Sequence, residues 1–288
     1  MRDLNYQLKN MCSRNKDGSF STQSNRQKIL FLMANQLYEM GYRHLKANAL
    51  KEKHVMGLVE KWTEDGITSG GMKNRMATLR WWAEKTNNES VVAKNNDFYG
   101  IGNRQFVTNE NKAVSVNQEQ LDKVKDGYVK ASLLLQSAFG LRREEAIKIF
   151  PAIADKGDHL ALKGSWTKGG KERSIPIITE YQREVLDQVK RLVGDGALIP
   201  LNKNYIQQLR IYERHTTLAG LNKLHGLRHQ YAQQRYEALT GWKSPAVGGL
   251  VKKKMTQEQK EKDLESRLLI SKELGHEREQ ITAVYLGR

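Results

Sequence analysis

Apolar residues in this chain recur at intervals of three and four, segment after segment, and most segments are closed by glycine. Ile29, Leu30, Met33, Leu37 and Met40 form one such stripe, with Gly41 after it. Leu50, His54, Leu58 and Trp62 form a second, ahead of Gly66; Met72, Met76, Leu79 and Trp82 or Ala83 form a third. That spacing is one face of an α-helix. Helices without strand-like alternation predict a small helical domain over residues 21–90. Residues 1–20 are polar and predict a loose arm. Trp81 and Trp82 are adjacent and cannot share a face, so one is expected in the core and the other semi-exposed.

Residues 91–115 read as an interdomain linker, rich in asparagine and without a helical period. Gly100-Ile101-Gly102 lacks the third glycine and the strand context of a dinucleotide loop. A second domain follows over 116–288. A long helix is expected from Gln118 to Phe139, with Leu121, Val124, Tyr128, Ala131, Leu135 and Phe139 as its buried stripe. The next helix runs from Arg142 to Phe150, closed by Pro151. Strict alternation appears over 159–163 and again over 173–177, flanking a Lys168-Gly169-Gly170-Lys171 turn, which predicts a β-hairpin. Helical patterns resume over 179–193, 204–219, 225–239 and 257–274. The expected fold is mainly α with a small antiparallel β-sheet: a helical N-terminal domain and a mixed α/β second domain.

Lys and Arg total 48 against 32 Asp and Glu, a formal charge of +16. Such an excess calls for a polyanionic partner, nucleic acid first and an anionic membrane surface second. Cys12 is the only cysteine, so an internal disulfide is impossible and a Cys-based zinc site is not expected. No apolar run approaches a membrane span and the opening residues lack a signal-peptide core, which points to a reducing, cytoplasmic compartment.

The chemistry-bearing residues gather toward the C-terminal end. His225 and Arg228 stand three apart, on one helical face. His276 follows Leu274-Gly275, and Tyr285 comes nine residues later. Upstream stand Arg142, in Gly140-Leu141-Arg142-Arg143-Glu144-Glu145, and Lys168 in the hairpin turn. In attack on a phosphodiester, negative charge spreads over the non-bridging oxygens, and fixed arginine forks meet it best. Arg142 and Arg228 suit that role. A tyrosine hydroxyl, with an ordinary pKa of about 10, must lose its proton to become a nucleophile, and His225 is the candidate base. Lys168 would protonate the departing sugar oxygen, and His276 would add a hydrogen bond to the phosphate. A covalent phosphotyrosine conserves the energy of the broken bond, so strands rejoin without ATP.

Together these motifs make the chain resemble the tyrosine-recombinase, or phage-integrase, family across about residues 113–288. Gly-Leu-Arg142-x-x-Glu145 is similar to the first arginine box, His225-Gly-Leu-Arg228-His to the His-x-x-Arg box, and Leu-Gly-His276 followed by Tyr285 to the closing box. Lys168 occupies the β-hairpin lysine position, with Lys171 as its rival. The helical front domain resembles the family's core-binding (SAM-like) domain by size and position. The resemblance implies a DNA strand transferase working through a 3′-phosphotyrosyl intermediate, with no metal and no other cofactor. Two domains would clamp duplex DNA, and a homotetramer would assemble on synapsed sites from free monomers or dimers. Glu145 would support the site by hydrogen-bonding its neighbours. An accessory directionality factor, the DNA sequence and the direction of the reaction are left open. In a cell such an enzyme would be cytoplasmic, and nucleoid-associated when bound to DNA.

Two departures accompany the resemblance. Residues 240–262 look like an insertion, whose Lys252, Lys253 and Lys254 are candidate phosphate contacts, as are Lys73, Arg75 and Arg80 of the third helix. Many members continue past the tyrosine into a tail that docks on a neighbouring protomer. The sequence ends at Arg288, which leaves the mode of assembly open or gives that coupling to another segment, and a Tyr285 near a free end leaves open delivery within one subunit or to its neighbour. Two other readings stand beside the recombinase: a DNA-binding protein without chemistry, and a type IB topoisomerase-like enzyme with the same nucleophile.

Overall fold

A computed structural model describes residues 1–167, 169–276 and 278–288. The chain divides into two compact units, Met1–Gln105 and Phe106–Arg288.

The first unit is helical among its described residues: α1 (Asp3–Arg14), α2 (Phe20–Glu39), α3 (Glu52–Glu64) and α4 (Ser69–Lys85). Ser19 and Thr68 begin α2 and α4 by accepting backbone N–H groups of their first turns. The opening residues, expected as a loose arm, instead form α1. Leu4 and Leu8 lie one turn apart on it and join the core of Leu30, Met33, Leu37, Leu58, Trp62 and Met76. Each buried leucine contributes about 1.5–3 kcal/mol, enough to hold a short polar helix in place. Trp81 and Trp82 are both buried, at 9% and 0% exposure, against the expectation for one of them. Trp82 donates to the Ala47 carbonyl at 2.7 Å. Trp81 is covered from outside, donating to Asp17 at 2.8 Å beneath the Arg26 guanidinium.

The front half of the expected linker belongs to this unit. Val92, Tyr99 and Ile101 sit in its core, and the Tyr99 hydroxyl accepts from the Ala93 N–H at 2.8 Å.

The second unit is built around α6 (Gly127–Phe139). The expected long helix is broken ahead of it: α5 (Gln118–Lys123) ends, Val124 turns extended, and Asp126 caps a new start by accepting the Val129 N–H. An Asp-Gly pair at that point favours a cap over a continuous helix. One side of α6 packs Leu135 and Phe139 against Leu160, Ile175, Leu186, Tyr231 and Ile270; the other packs Val129 and Leu133 against Ile147, Tyr212 and Leu227. Next come α7 (Arg143–Lys148) and α8 (Pro151–Ala154). Pro151 therefore opens a helical turn rather than only closing the previous one, as its missing N–H allows at a first position.

Strands β1 (His159–Leu162) and β2 (Arg173–Pro176) pair antiparallel, with Leu160 opposite Ile175 and Leu162 opposite Arg173. The remaining helices are α9 (Glu180–Val193), α10 (Tyr205–Leu218), α11 (Gly226–Thr240), α12 (Gln257–Glu273) and α13 (Glu279–Leu286). Among the described residues no helix is long and apolar enough to cross a membrane.

Candidate active site

Gly140 turns the chain out of α6 at φ +59°, and a Cβ there would stand 2.6 Å from the Tyr231 ring, so only glycine fits. That turn does two things. It delivers Arg142 to the start of α7, and it exposes the Gly140 carbonyl to Arg228, whose Nη1 donates to it at 2.6 Å. Arg228 is 1% exposed. Its Nη2 donates to the Leu274 carbonyl, and its Nε donates to the Tyr285 hydroxyl at 3.2 Å. Burial lowers its pKa to about 10, so the guanidinium stays charged at neutral pH.

Arg142 and Glu145 stand one helical turn apart at the start of α7. The Glu145 carboxylate accepts the Arg142 backbone N–H at 2.7 Å and its Nη1 at 2.8 Å. A third arginine, absent from the sequence expectations, completes the cluster. Arg173 on β2 meets Glu145 with both arms, at 2.9 and 2.6 Å, and its Nε donates to the Glu273 carbonyl at 3.0 Å. Burial would raise the Glu145 pKa, but the Arg173 fork and Arg142 hold it down at about 2. The sequence signal for Arg173 was its register: it shares a strand face with Ile175, which is fully buried.

Tyr285 lies on α13 and is 5% exposed. Three histidine rings surround it, with centroids 6.0 Å away for His225, 4.7 Å for His229 and 6.2 Å for His276. His225 stands at the rim, exposed, just before α11. Desolvation, with Arg228 and Arg142 nearby, holds its pKa below the ordinary histidine value. His229 was not singled out from the sequence; it follows His225 by four residues and so shares its helical face. Burial, then the charges of His225, Lys112 and Arg228, push its pKa down to about 4. His276 reaches about 4 by desolvation and by Arg228, Arg142 and Arg173. The Arg142 Nη2 lies 3.4 Å from the His276 Nε2. Arginine can only donate, so that nitrogen accepts and the proton of the neutral ring sits on Nδ1.

Two guanidiniums, of Arg142 and Arg173, therefore hold one carboxylate, and a third, of Arg228, meets the tyrosine hydroxyl beside histidines held neutral. Excess positive charge among partly desolvated groups is suited to a phosphate diester. Lys168 lies outside the described residues. Among the described residues no group of His, Cys, Asp or Glu is arranged to hold a metal ion.

Two family models fit the chain: phage integrase, N-terminal, over residues 1–89, and integrase over residues 102–234. The chain belongs to the tyrosine-recombinase, or phage-integrase, family. No curated protein sequence matches it. Solved structures of other integrases share its fold. A lambda integrase dimer bound to a COC′ core site superposes with a TM-score of 0.61 at 15% identity, covering 99% of this chain and 77% of that one. The Tn1549 transposon integrase in complex with circular intermediate DNA gives 0.56 at 12% identity, covering 100% and 96%. A lambda integrase tetramer bound to a Holliday junction gives 0.57 at 14% identity, covering 96% and 76%.

For this integrase-family chain, the expected DNA contacts divide into two kinds. Lys252, Lys253 and Lys254 are all exposed on one short turn of the 240–262 segment. On α4, Arg80 is engaged within its own unit, donating to the Ala93 carbonyl at 3.0 Å and to Asn96 at 2.9 Å. Arg75 stacks over the Trp62 ring at 5.2 Å, with its Nη1 buried. Both arginines make contacts within their own unit. Lys73 donates to Asn103 at 3.0 Å on the surface.

The residues that follow Tyr285 are hydrogen-bonded to other parts of the second unit. Arg267 donates to the Gly287 carbonyl at 2.9 Å, and Arg288 exchanges backbone hydrogen bonds with the Asn109 side chain. Tyr285 is thus anchored within the second unit.

Proposed function

We propose that this chain is a site-specific DNA recombinase, cutting and rejoining duplex DNA through a bond to Tyr285, and that it integrates or excises a mobile element. The observation that carries the reading is the Arg228 Nε–H donated to the Tyr285 hydroxyl inside a cage of two further arginines. A tyrosine needed only for packing would have no reason to sit within a surplus of buried positive charge.

In the proposed reaction, Arg142 and Arg228 bind the non-bridging oxygens of the scissile phosphate. The Tyr285 oxygen attacks phosphorus, His225 takes the hydroxyl proton, and the bond to the 5′ oxygen breaks. That oxygen receives a proton from Lys168, leaving a 3′-phosphotyrosyl linkage. The Nδ1–H of His276 steadies a non-bridging oxygen. Rejoining is the same path reversed, with a 5′ hydroxyl from a second strand. Arg173 and Glu145 act on the phosphate only through Arg142, which they hold in place.

Duplex DNA as partner is supported by the net charge of +16 and by a fold shared with integrases captured on a core site and on circular intermediate DNA. Assembly as a tetramer on paired sites follows the lambda integrase tetramer on a Holliday junction.

The test is a suicide substrate carrying the cognate site, nicked just beyond the scissile phosphate. The unaltered protein should form a denaturation-resistant adduct without ATP, and Tyr285→Phe should form none. A site that is bound but never linked to the protein would favour a DNA-binding protein without chemistry. Relaxation of supercoils without any need for paired sites would favour the topoisomerase-like reading.

A further inference from the structure

Helix α13 is eight residues long and has no side-chain cap at its start, so it is too short to hold its own geometry. What fixes Tyr285 must therefore come from outside the helix. Part of the answer is apolar: Ala283 and Leu286 are fully buried. The rest comes from the segment that opens the second unit, far away in sequence.

Asn109 faces the Arg288 backbone and satisfies both of its groups, accepting its N–H at 2.8 Å and donating to its carbonyl at 3.3 Å. It does so from φ +55°, a left-handed conformation that asparagine tolerates better than other side chains. On the other side, Gly287 sits at φ +75°, and a Cβ there would stand 2.7 Å from the Asn109 Oδ1. Glycine is the residue that lets the two segments close. Two positions on, Asn111 accepts from the Gln233 amide at 3.1 Å, and the same amide nitrogen donates to the Tyr285 carbonyl at 3.2 Å. Both Gln233 N–H groups are thereby used. The segment is itself anchored on α11, where the Val114 N–H donates to the Gly226 carbonyl at 3.1 Å. A Cβ at Gly226 would stand 2.5 Å from Val114.

We infer that Asn109, Asn111 and Gln233 form a clasp that positions the nucleophile: residues preceding the catalytic helices hold α13 so that the Tyr285 hydroxyl meets Arg228. The three are positioning residues, since none touches the reacting atoms, and their role in strand cleavage rests on the recombinase reading above. Opening the clasp leaves the arginine cage and its phosphate affinity in place while releasing the attacking oxygen. A displacement of about 1 Å at a reacting atom costs on the order of a hundredfold in rate.

Two readouts test the clasp. The first does not depend on activity: amide hydrogen exchange in the full chain, with and without Asn109→Ala. The clasp requires exchange over Ala283–Leu286 to speed by about tenfold or more while α6 stays protected; unchanged exchange in α13 overturns it, whatever the chemistry. The second is the rate of adduct formation on the suicide substrate at saturating protein. Asn109→Ala, Gln233→Ala and Gly287→Ala should each slow it by about tenfold to a hundredfold, with site affinity unchanged within about twofold. Asn109→Ala combined with Gly287→Ala should be no slower than the slower single variant, because both open the same contact. In a Tyr285→Phe background, cleavage by added hydrogen peroxide needs the cage but not the tyrosine, so the clasp substitutions should leave it unchanged. Equal losses in both backgrounds would mean damage to the cage and would overturn the positioning role. An unaltered protein that forms no adduct would count against the recombinase reading alone, and the exchange measurement would still decide the clasp.

Discussion

Glu145 and Arg173 form a two-armed ion pair, at 2.9 and 2.6 Å, with the carboxylate fully buried and the guanidinium nearly so. The pair joins the start of α7 to β2, and through the Arg173 Nε it reaches the end of α12. The Glu145 carboxylate thus fastens the start of α7 to β2, and Arg173 carries the link on to α12, just ahead of His276.

Breaking that pair should cost both stability and cleavage. Removing one partner of a buried pair leaves the other uncompensated, so Glu145→Gln or Arg173→Ala should lower unfolding free energy by about 3–5 kcal/mol. Arg173→Lys should not restore it, because an ammonium cannot present two parallel donors. Denaturant melts and adduct yields on the same samples check both effects. A lysine variant as stable and active as the parent would show that the two-armed pair supports neither folding nor cleavage.

The same carboxylate sets an acid limit. Its folded pKa of about 2 lies below the ordinary value of 4.5, so the stability it contributes is present above pH 4.5 and is lost as pH falls toward 2. The shift corresponds to about 3 kcal/mol. In Glu145→Gln the loss of stability across that window should be shallower by about this amount.

A second window lies higher, and histidine is its source. His229 is buried with its pKa lowered from 6.5 to about 4. Between those values the unfolded chain takes up a proton that the folded site refuses, so stability should fall as pH drops from 6.5 to 4. His229→Gln should flatten this slope, by up to about 3 kcal/mol at the acid end. Urea titrations at half-unit pH steps measure it directly. A slope unchanged by the substitution would assign the effect to His276 instead.

Cleavage itself should carry an acid limb from His225. Its pKa is lowered, so the ring is neutral at pH 7 and able to accept the tyrosine proton; the rate should decline only below pH 6.5. His225→Ala should slow adduct formation by about 10²–10⁴-fold and abolish the limb. A limb that persists in this variant would assign the base elsewhere.

The exposed Lys252–Lys254 turn is checked by salt rather than by rate. Each lysine–phosphate interaction removed should reduce the slope of log affinity against log salt by about 0.9. Lys252→Gln, Lys253→Gln and Lys254→Gln together should therefore flatten the slope by up to about 3 units. No change would return the segment to solvent.

Much of this architecture is legible in the sequence. Order and spacing pick out Arg142, Glu145, Arg228, His276 and Tyr285, and the structure brings them close together. The hairpin is visible because alternation is a strong local signal. What stays hidden depends on tertiary context. Arg173 looks like one basic residue among many, although its strand register beside Ile175 points inward. His229 and Gln233 continue the His225 stripe at intervals of four, yet a histidine and an amide read as ordinary helix residues. Leu4 and Leu8 have helical spacing, but too few neighbours in sequence to predict the core they join. The break at Asp126-Gly127 is masked by an apolar stripe that continues through it.

Attack by Tyr285 on the scissile phosphate would leave a covalent mark that peptide mapping can locate. Adduct from the suicide substrate is digested with trypsin and the DNA-linked peptide is identified by mass spectrometry. Cleavage after Arg278 and at Arg288 releases Glu279–Arg288, in which Tyr285 is the single tyrosine. The nucleotide should be found on that peptide, joined through a 3′ phosphate to the Tyr285 oxygen. A linkage to any other residue, or to a 5′ phosphate, would contradict this expectation.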